Sequence, residues 1–201
     1  MKRILSAVLL FAASAANAGT IELVKNGSFE KDVIAANSWK VQSTLDGWAV
    51  GTNQVEIRNN VVGAAQNGSQ YLELDVYNNS SISQTFDTVN GGEYKLSFYY
   101  AARENTLATT NGIDVFWNGL LVKHLEQDNR SSVTNWIKYD LSLFAAGSQS
   151  KLEFVAAGNS DSYGGSLDNV SLTTNVPEPG TLMSVALGLG MLGFTLRRRQ
   201  K

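Results

Sequence analysis

Between residues 71 and 172, apolar and polar side chains alternate in short runs separated by turn-forming residues. Tyr71-Leu72-Glu73-Leu74-Asp75 follows the turn Gln66-Asn67-Gly68-Ser69 and alternates with period two, as a strand buried on one face does. A run at 85–88 leads through Val89-Asn90-Gly91-Gly92 into the strongest strand pattern of the chain, Glu93–Ala101. The Asn90-Gly91 pair predicts a tight hairpin between those two runs. Within 93–101, Tyr94, Leu96, Phe98 and Tyr100 share one face and Lys95, Ser97, Tyr99 and Ala101 the other, so the first set is the expected core face. Ile113, Val115 and Trp117 alternate with Asp114, Phe116 and Asn118, and Asn118-Gly119 turns the chain into Leu120-Leu121-Val122 as a second hairpin. Runs at 136–143, 151–155 and 166–172 supply closing strands, with Gly147 and Gly164-Gly165 as turns.

Short strands at this spacing, with no long amphipathic helix and no internal repeat, predict an all-β sandwich. Its limits follow from the two ends. Lys2 and Arg3 precede an apolar stretch at 4–13 and the small-x-small triplet Ala16-Asn17-Ala18, the pattern of a secretory signal peptide over 1–18 that signal peptidase removes after Ala18. At the other end, Pro177-Glu178-Pro179 precedes an apolar run at 181–196 and the basic cluster Arg197-Arg198-Arg199-Gln200-Lys201. The two prolines are the only ones in the chain, and they hold that segment extended. Sixteen apolar residues as a helix span roughly 24 Å against a hydrocarbon core of about 30 Å, a marginal transmembrane helix whose basic end stays cytoplasmic. A single β-sandwich domain is therefore expected over 19–175, with a sorting segment over 176–201.

Removing the ends changes the charge. Six of the 16 basic residues lie there, which leaves 10 basic against 17 acidic residues, a net of −7. An acidic domain without a Lys/Arg cluster argues against nucleic acid or anionic lipid as a partner. The absence of cysteine excludes thiol catalysis, thiolate metal sites and disulfide stabilisation.

Candidate chemistry is sparse. His124 is the single histidine and no Gly-x-Ser-x-Gly elbow accompanies it, so neither a catalytic triad nor a histidine zinc site is supported and a surface imidazole is expected. Glu73 and Asp75 fall on one strand face roughly 7 Å apart, a spacing a glycosidase pair could use but one that any strand supplies, so solvated carboxylates on the outer face are the expectation. Of the four tryptophans, Trp48 and Trp136 read as structural anchors. Tyr99 and Phe116 alternate away from the core sets and, with Arg103 nearby, are the expected ligand-binding residues.

Two resemblances add to this reading. The ordered Pro-Glu-Pro, apolar run and Arg cluster resemble the PEP-CTERM sorting signal, which implies an exosortase as processing partner in a Gram-negative-type bacterium, export to the envelope or extracellular space, transient inner-membrane anchoring, and association with polysaccharide and biofilm matrix. Asn26-Gly27-Ser28-Phe29-Glu30, Gly47-Trp48, 68–74, 94–98 and Leu167-Asp168-Asn169-Val170-Ser171-Leu172 resemble the galactose-binding-like jelly roll of many carbohydrate-binding modules. That resemblance implies a non-catalytic glycan-binding domain, and a structural calcium ion held by Glu30 and Asp168 with backbone around Asn26 and Ser28. A structural matrix protein without a specific ligand is the alternative, a glycoside hydrolase the remote one.

Overall fold

The computed structural model describes residues 19–176 and Gly188. Residues 21–174 form one compact unit. The signal peptide at 1–18 and the sorting motif and membrane helix expected beyond 176 lie outside the described residues, Gly188 apart, which is helical. No helix among the described residues is long and apolar enough to cross a membrane.

Twelve strands are present among the described residues: β1 Gly19–Glu22, β2 Ser38–Gln42, β3 Ala49–Val50, β4 Val55–Asn59, β5 Gln70–Glu73, β6 Ser81–Asp87, β7 Glu93–Ala101, β8 Ile113–Trp117, β9 Leu120–Leu125, β10 Ile137–Phe144, β11 Gln149–Ala156 and β12 Ser166–Val176. They form a seven-stranded sheet in the order β10-β7-β12-β5-β4-β2, with β1 also on β12, and a five-stranded sheet in the order β3-β6-β11-β8-β9. The two sheets enclose one core of inward-facing side chains, an all-β sandwich.

The faces of β7 are as the alternation predicts: Tyr94, Leu96, Phe98 and Tyr100 are buried at 3% exposure or less, while Lys95 is exposed. Across from them, Ile82, Phe86, Val115, Trp117, Leu152 and Phe154 come from the second sheet. Phe98 and Phe154 meet edge to face at 5.2 Å, so these rings join the two layers.

The hairpin at Asn118-Gly119 forms between β8 and β9, with both residues in the left-handed region (φ 53° and 78°) that a two-residue type I′ turn needs. The hairpin expected at Asn90-Gly91 does not form. β6 pairs with β3 and β11, whereas β7 pairs with β10 and β12 in the other sheet. Only Gly91 of that pair has positive φ, and the turn crosses between layers instead, its Gly91 N–H donating to the Ala145 carbonyl at 2.8 Å. The physical reason is burial: β6 and β7 each carry an apolar face toward the same core, which opposes them across the sandwich rather than side by side.

Candidate functional site

Most strands in this fold turn polar side chains to water, but on part of the outer face of the seven-stranded sheet they are buried. Cross-strand pairing sets Trp39 of β2 beside Arg58 of β4 and Arg58 beside Tyr71 of β5, and in the next row Glu56 beside Glu73. Arg58 is only 3% exposed and lies between two carboxylates, bonded through Nε to Glu56 and through Nη2 to Glu73 Oε2 at 3.4 Å. An arginine this deep is held in place because leaving either carboxylate unpaired would strand a buried charge.

Glu73 also anchors a loop. Its Oε1 accepts the N–H of Gly164 at 2.6 Å and of Asp75 at 3.1 Å. A Cβ at position 164 would lie 2.5 Å from that same oxygen, so glycine is what lets the backbone come so close. Asp75 Oδ2 in turn accepts the N–H groups of Asp161 and Ser162 at 2.8 and 3.0 Å. Thus fixed, the loop presents the Tyr163 ring to the Arg103 guanidinium, 4.5 Å from the ring centre, and the Ser162 carbonyl to Arg103 Nη1 at 3.3 Å.

These elements enclose a cavity of about 230 Å³ lined by Trp39, Glu56, Arg58, Glu73, Tyr77 and Arg103, among others. Trp39 and Tyr77 are 56% and 65% exposed, so aromatic faces are open to solvent beside rigid charged groups. Burial pushes the Glu73 carboxyl up to about 7, with Glu56 adding to the rise and Arg58 and the two N–H donors opposing it. Burial, followed by the neighbouring Arg58, holds the Arg103 guanidinium below its usual value. Chemically, the arrangement offers preorganised donors and acceptors next to apolar ring faces.

The 60–69 segment crosses the same sheet face. Tyr71 Oη donates to the Val61 carbonyl at 2.6 Å and Trp136 Nε1 to the Ala64 carbonyl at 2.9 Å. The Gln66 and Asn67 N–H groups both donate to Asp168 Oδ2 at 2.8 Å, which leaves Asp168 fully buried. Glu30 accepts from Ser69 and Gln70 of the same segment. Burial first, and Glu30 nearby, push the Asp168 carboxyl up to about 7 against its N–H donors.

Of the residues singled out from sequence, Arg103 lines the cavity. Tyr99 and Phe116 do not share a surface: they are half-buried on the outward sides of β7 and β8, which belong to different sheets. Glu30 and Asp168 both hold the 66–70 segment, while the Asn26 carbonyl accepts from the Phe29 N–H at 3.2 Å and Trp48 Nε1 at 3.1 Å, and the Asn26 side chain bonds Asp32, the Asp46 carbonyl and the Lys31 N–H. Ser28 makes no hydrogen bond to either carboxylate. Among the described residues, no group of three or more His, Cys, Asp or Glu is placed to hold a metal ion. In charge the buried Asp168 and the half-buried Glu30 fit a hard cation, which would share carboxylate oxygens that already accept from backbone N–H groups and the Ser69 hydroxyl. His124 is an exposed imidazole beside Asp114 at 2.6 Å, and Trp48 is the buried anchor expected, with its Nε1 on the Asn26 carbonyl. Trp136 is half-buried, edge-on to Tyr71.

Sequence reasoning missed Tyr77, Glu56 and Arg58 and did not separate Trp39 from the other tryptophans. The available signal was Val-Glu-Ile-Arg-Asn at 55–59, where opposite charges two residues apart share the face that the apolar residues avoid.

The family model described as "Protein of unknown function (DUF642)" matches residues 22–173. The chain belongs to the DUF642 family. The PEP-CTERM protein-sorting motif matches residues 175–199, directly after the DUF642 domain, and marks the protein as exported and sorted to the envelope of a Gram-negative-type bacterium. A "Multifunctional-autoprocessing repeats-in-toxin" of Vibrio vulnificus is 31% identical over 153 residues, 74% of this chain but only 3% of the toxin's length. Among solved structures, a cyclase from Fischerella sp. TAU in complex with 4-(1H-indol-3-yl)butan-2-one is similar to the DUF642 domain with a TM-score of 0.56 at 12% identity, covering 78% of this chain and 98% of that one. A family 35 carbohydrate-binding module from Clostridium thermocellum is similar with a TM-score of 0.45 at 17% identity, covering 68% and 97%.

Proposed function

We propose that the domain is a non-catalytic glycan-binding module of the envelope or extracellular matrix, of galactose-binding-like jelly-roll type, that takes its ligand at the cavity around Arg58. The observation that carries this reading is the pairing of exposed aromatic faces, Trp39 and Tyr77, with charged groups that burial has already immobilised. Sugars present C–H faces and hydroxyls together, and preorganised polar groups bind hydroxyls without ordering cost. A panel of extracellular polysaccharides tests it. Trp39→Ala and Tyr77→Ala are each expected to weaken the retained polysaccharide by about 30-fold or more, as hot-spot aromatics do. Both should leave stability within about 0.5 kcal/mol, because they are surface changes. Phe116→Ala, on the other sheet, should leave binding unchanged. If no polysaccharide is retained, the protein is a structural matrix component instead; if Trp39→Ala binds as well as the parent, the ligand is not taken at this cavity.

A hydrolase reading has one observation behind it, the cross-strand carboxylates Glu56 and Glu73 with Glu73 pushed up to about 7. Against it, both Glu73 oxygens are already taken, Oε1 by two N–H groups and Oε2 by Arg58, which leaves no oxygen aimed at a glycosidic bond. Asp75 is committed to the 161–162 loop. A structural calcium ion at Glu30 and Asp168, completed by carbonyls and water, belongs to the same proposal.

Before maturation an exosortase acts at Pro177-Glu178-Pro179. Replacing the three with alanine is expected to leave a membrane-retained precursor of higher mass, visible by immunoblot of fractionated cells. Equal processing of both forms would remove the motif from sorting.

A further inference from the structure

β12 decides at which end of the sandwich the chain leaves the domain. Thr173 pairs with Lys95 at the start of β7, and Thr174 Oγ1 donates to the Glu93 carbonyl, so the chain leaves the 21–174 unit where β7 begins. The cavity lies toward the opposite end, where Ser166 pairs with Ala101 and with Glu73. Nine residues of strand separate the two ends, roughly 25 to 30 Å.

The end where the chain leaves exposes three apolar side chains, with Asp87 and the Glu93–Lys95 ion pair beside them. Val89, in the turn before β7, is 72% exposed; Phe144, paired with Glu93, is 62% exposed; Leu120, paired with Trp117, is 72% exposed. They are fixed on one rigid base, since Trp117 Nε1 donates to the Phe144 carbonyl at 2.9 Å, Tyr94 Oη accepts the Val89 N–H at 2.9 Å, and the Tyr94 and Trp117 rings lie 6.1 Å apart. The turns around them, Asn90-Gly91-Gly92, Asn118-Gly119 and 145–148, carry no charge in a domain whose net charge is −7. From Thr174 to the start of the apolar run at Thr181 the chain has seven residues, which reach at most about 25 Å even when fully extended.

We propose that, while the tail is uncut, the Val89/Leu120/Phe144 end of the domain docks on the outer surface of the lipid bilayer that holds the tail, with the cavity facing away. This rests on the reading of 181–196 as a membrane segment. Uncharged turns bearing Val, Leu and Phe suit the headgroup boundary, where apolar side chains gain by leaving water, aromatic rings are favoured and the flanking Asp87 and Glu93 stay hydrated. The short tether keeps the tip at the surface, so even a weak contact is made at high effective concentration. Cleavage removes the tether, and the same three side chains are then too few to hold the domain at the membrane.

The chain has no cysteine, so single-cysteine variants can carry an environment-sensitive fluorophore. The full chain with its tail uncut is reconstituted into vesicles of phosphatidylethanolamine and phosphatidylglycerol, with label at Val89→Cys, Leu120→Cys, Phe144→Cys or, as the distal control, Tyr163→Cys. The three end positions are expected to shift to the blue, to be quenched by nitroxide-bearing lipid and to be shielded from aqueous iodide, while the label at 163 stays accessible to iodide. Protein that floats with the vesicles but keeps all four labels accessible to iodide overturns the docking and leaves the membrane tail intact. Protein that does not float overturns both. Shielding from iodide without quenching by the nitroxide lipid assigns the surface to a second copy of the chain and overturns the lipid assignment.

Discussion

Replacing Arg58 with methionine is expected to lower the melting temperature of the domain by about 6 to 20 °C. Glu56 and Glu73 would be left facing each other across β4 and β5 with no cation between them. Breaking a buried pair by removing one partner costs about 3 to 5 kcal/mol, because the uncompensated charge remains in a dry site. In a domain of this size each kcal/mol moves the midpoint by about 2 to 4 °C. Adding Glu56→Gln and Glu73→Gln to Arg58→Met should recover most of the loss, since the penalty comes from the stranded carboxylates rather than from the missing guanidinium. Thermal denaturation of the parent and the two variants checks this. A single variant as stable as the parent would mean that the carboxylates are hydrated and that Arg58 does not organise the cavity floor.

The second large effect is on pH dependence. Asp168 is raised from 3.8 to about 7 and Glu73 from 4.5 to about 7, both chiefly by burial. Between those values the folded chain keeps protons that the unfolded chain has released, so stability must fall as pH rises from about 4 to 7, with the full loss present above pH 7. At about 1.4 kcal/mol per pH unit, each group contributes a few kcal/mol to that fall. The domain should therefore melt higher at pH 5 than at pH 8 in the presence of a chelator. Calcium at pH 8 should restore part of the difference, because a cation beside Glu30 and Asp168 replaces the lost proton. Extracellular modules bind calcium at roughly 0.1 to 1 mM, so a ten- to hundredfold excess stabilises by about 1.4 to 2.7 kcal/mol. That corresponds to about 3 to 11 °C. Asp168→Asn should remove the calcium response and its share of the pH slope, leaving that of Glu73. Melting indifferent to both chelator and calcium would eliminate the ion, and a midpoint that rises from pH 5 to pH 8 would contradict the buried carboxyls themselves.

Burial sorts what was legible in the sequence from what was not. The strand 93–101 and its core face could be read because period-two alternation is a local property, set by the pleat and by one wet and one dry side. The turn at Asn118-Gly119 could be read for the same reason, as its backbone geometry depends on two residues. The turn at Asn90-Gly91 carries the same dipeptide, and its partner in space is Ala145, which lies outside any local window. The candidate site failed on similar grounds. Glu56, Arg58 and Glu73 look like ordinary outward-facing charges of half-buried strands, and only the 60–69 and 160–164 segments packing back over the sheet make that face dry. Tyr99 and Phe116 have the right alternation to face outward, and alternation says nothing about which sheet a strand joins.

The sequence by itself determined the sorting motif, the all-β class and the inward sets of β7 and β8, because each is carried by a contiguous motif, by composition or by period over a few residues. The tertiary structure alone decided that Trp39, Arg58, Glu73 and Arg103 meet at one cavity, that Glu30 and Asp168 are neighbours, and that the chain exits beside an apolar tip. Those juxtapositions join residues up to 138 positions apart, and loop closure over such distances is fixed by the whole core rather than by any segment of it.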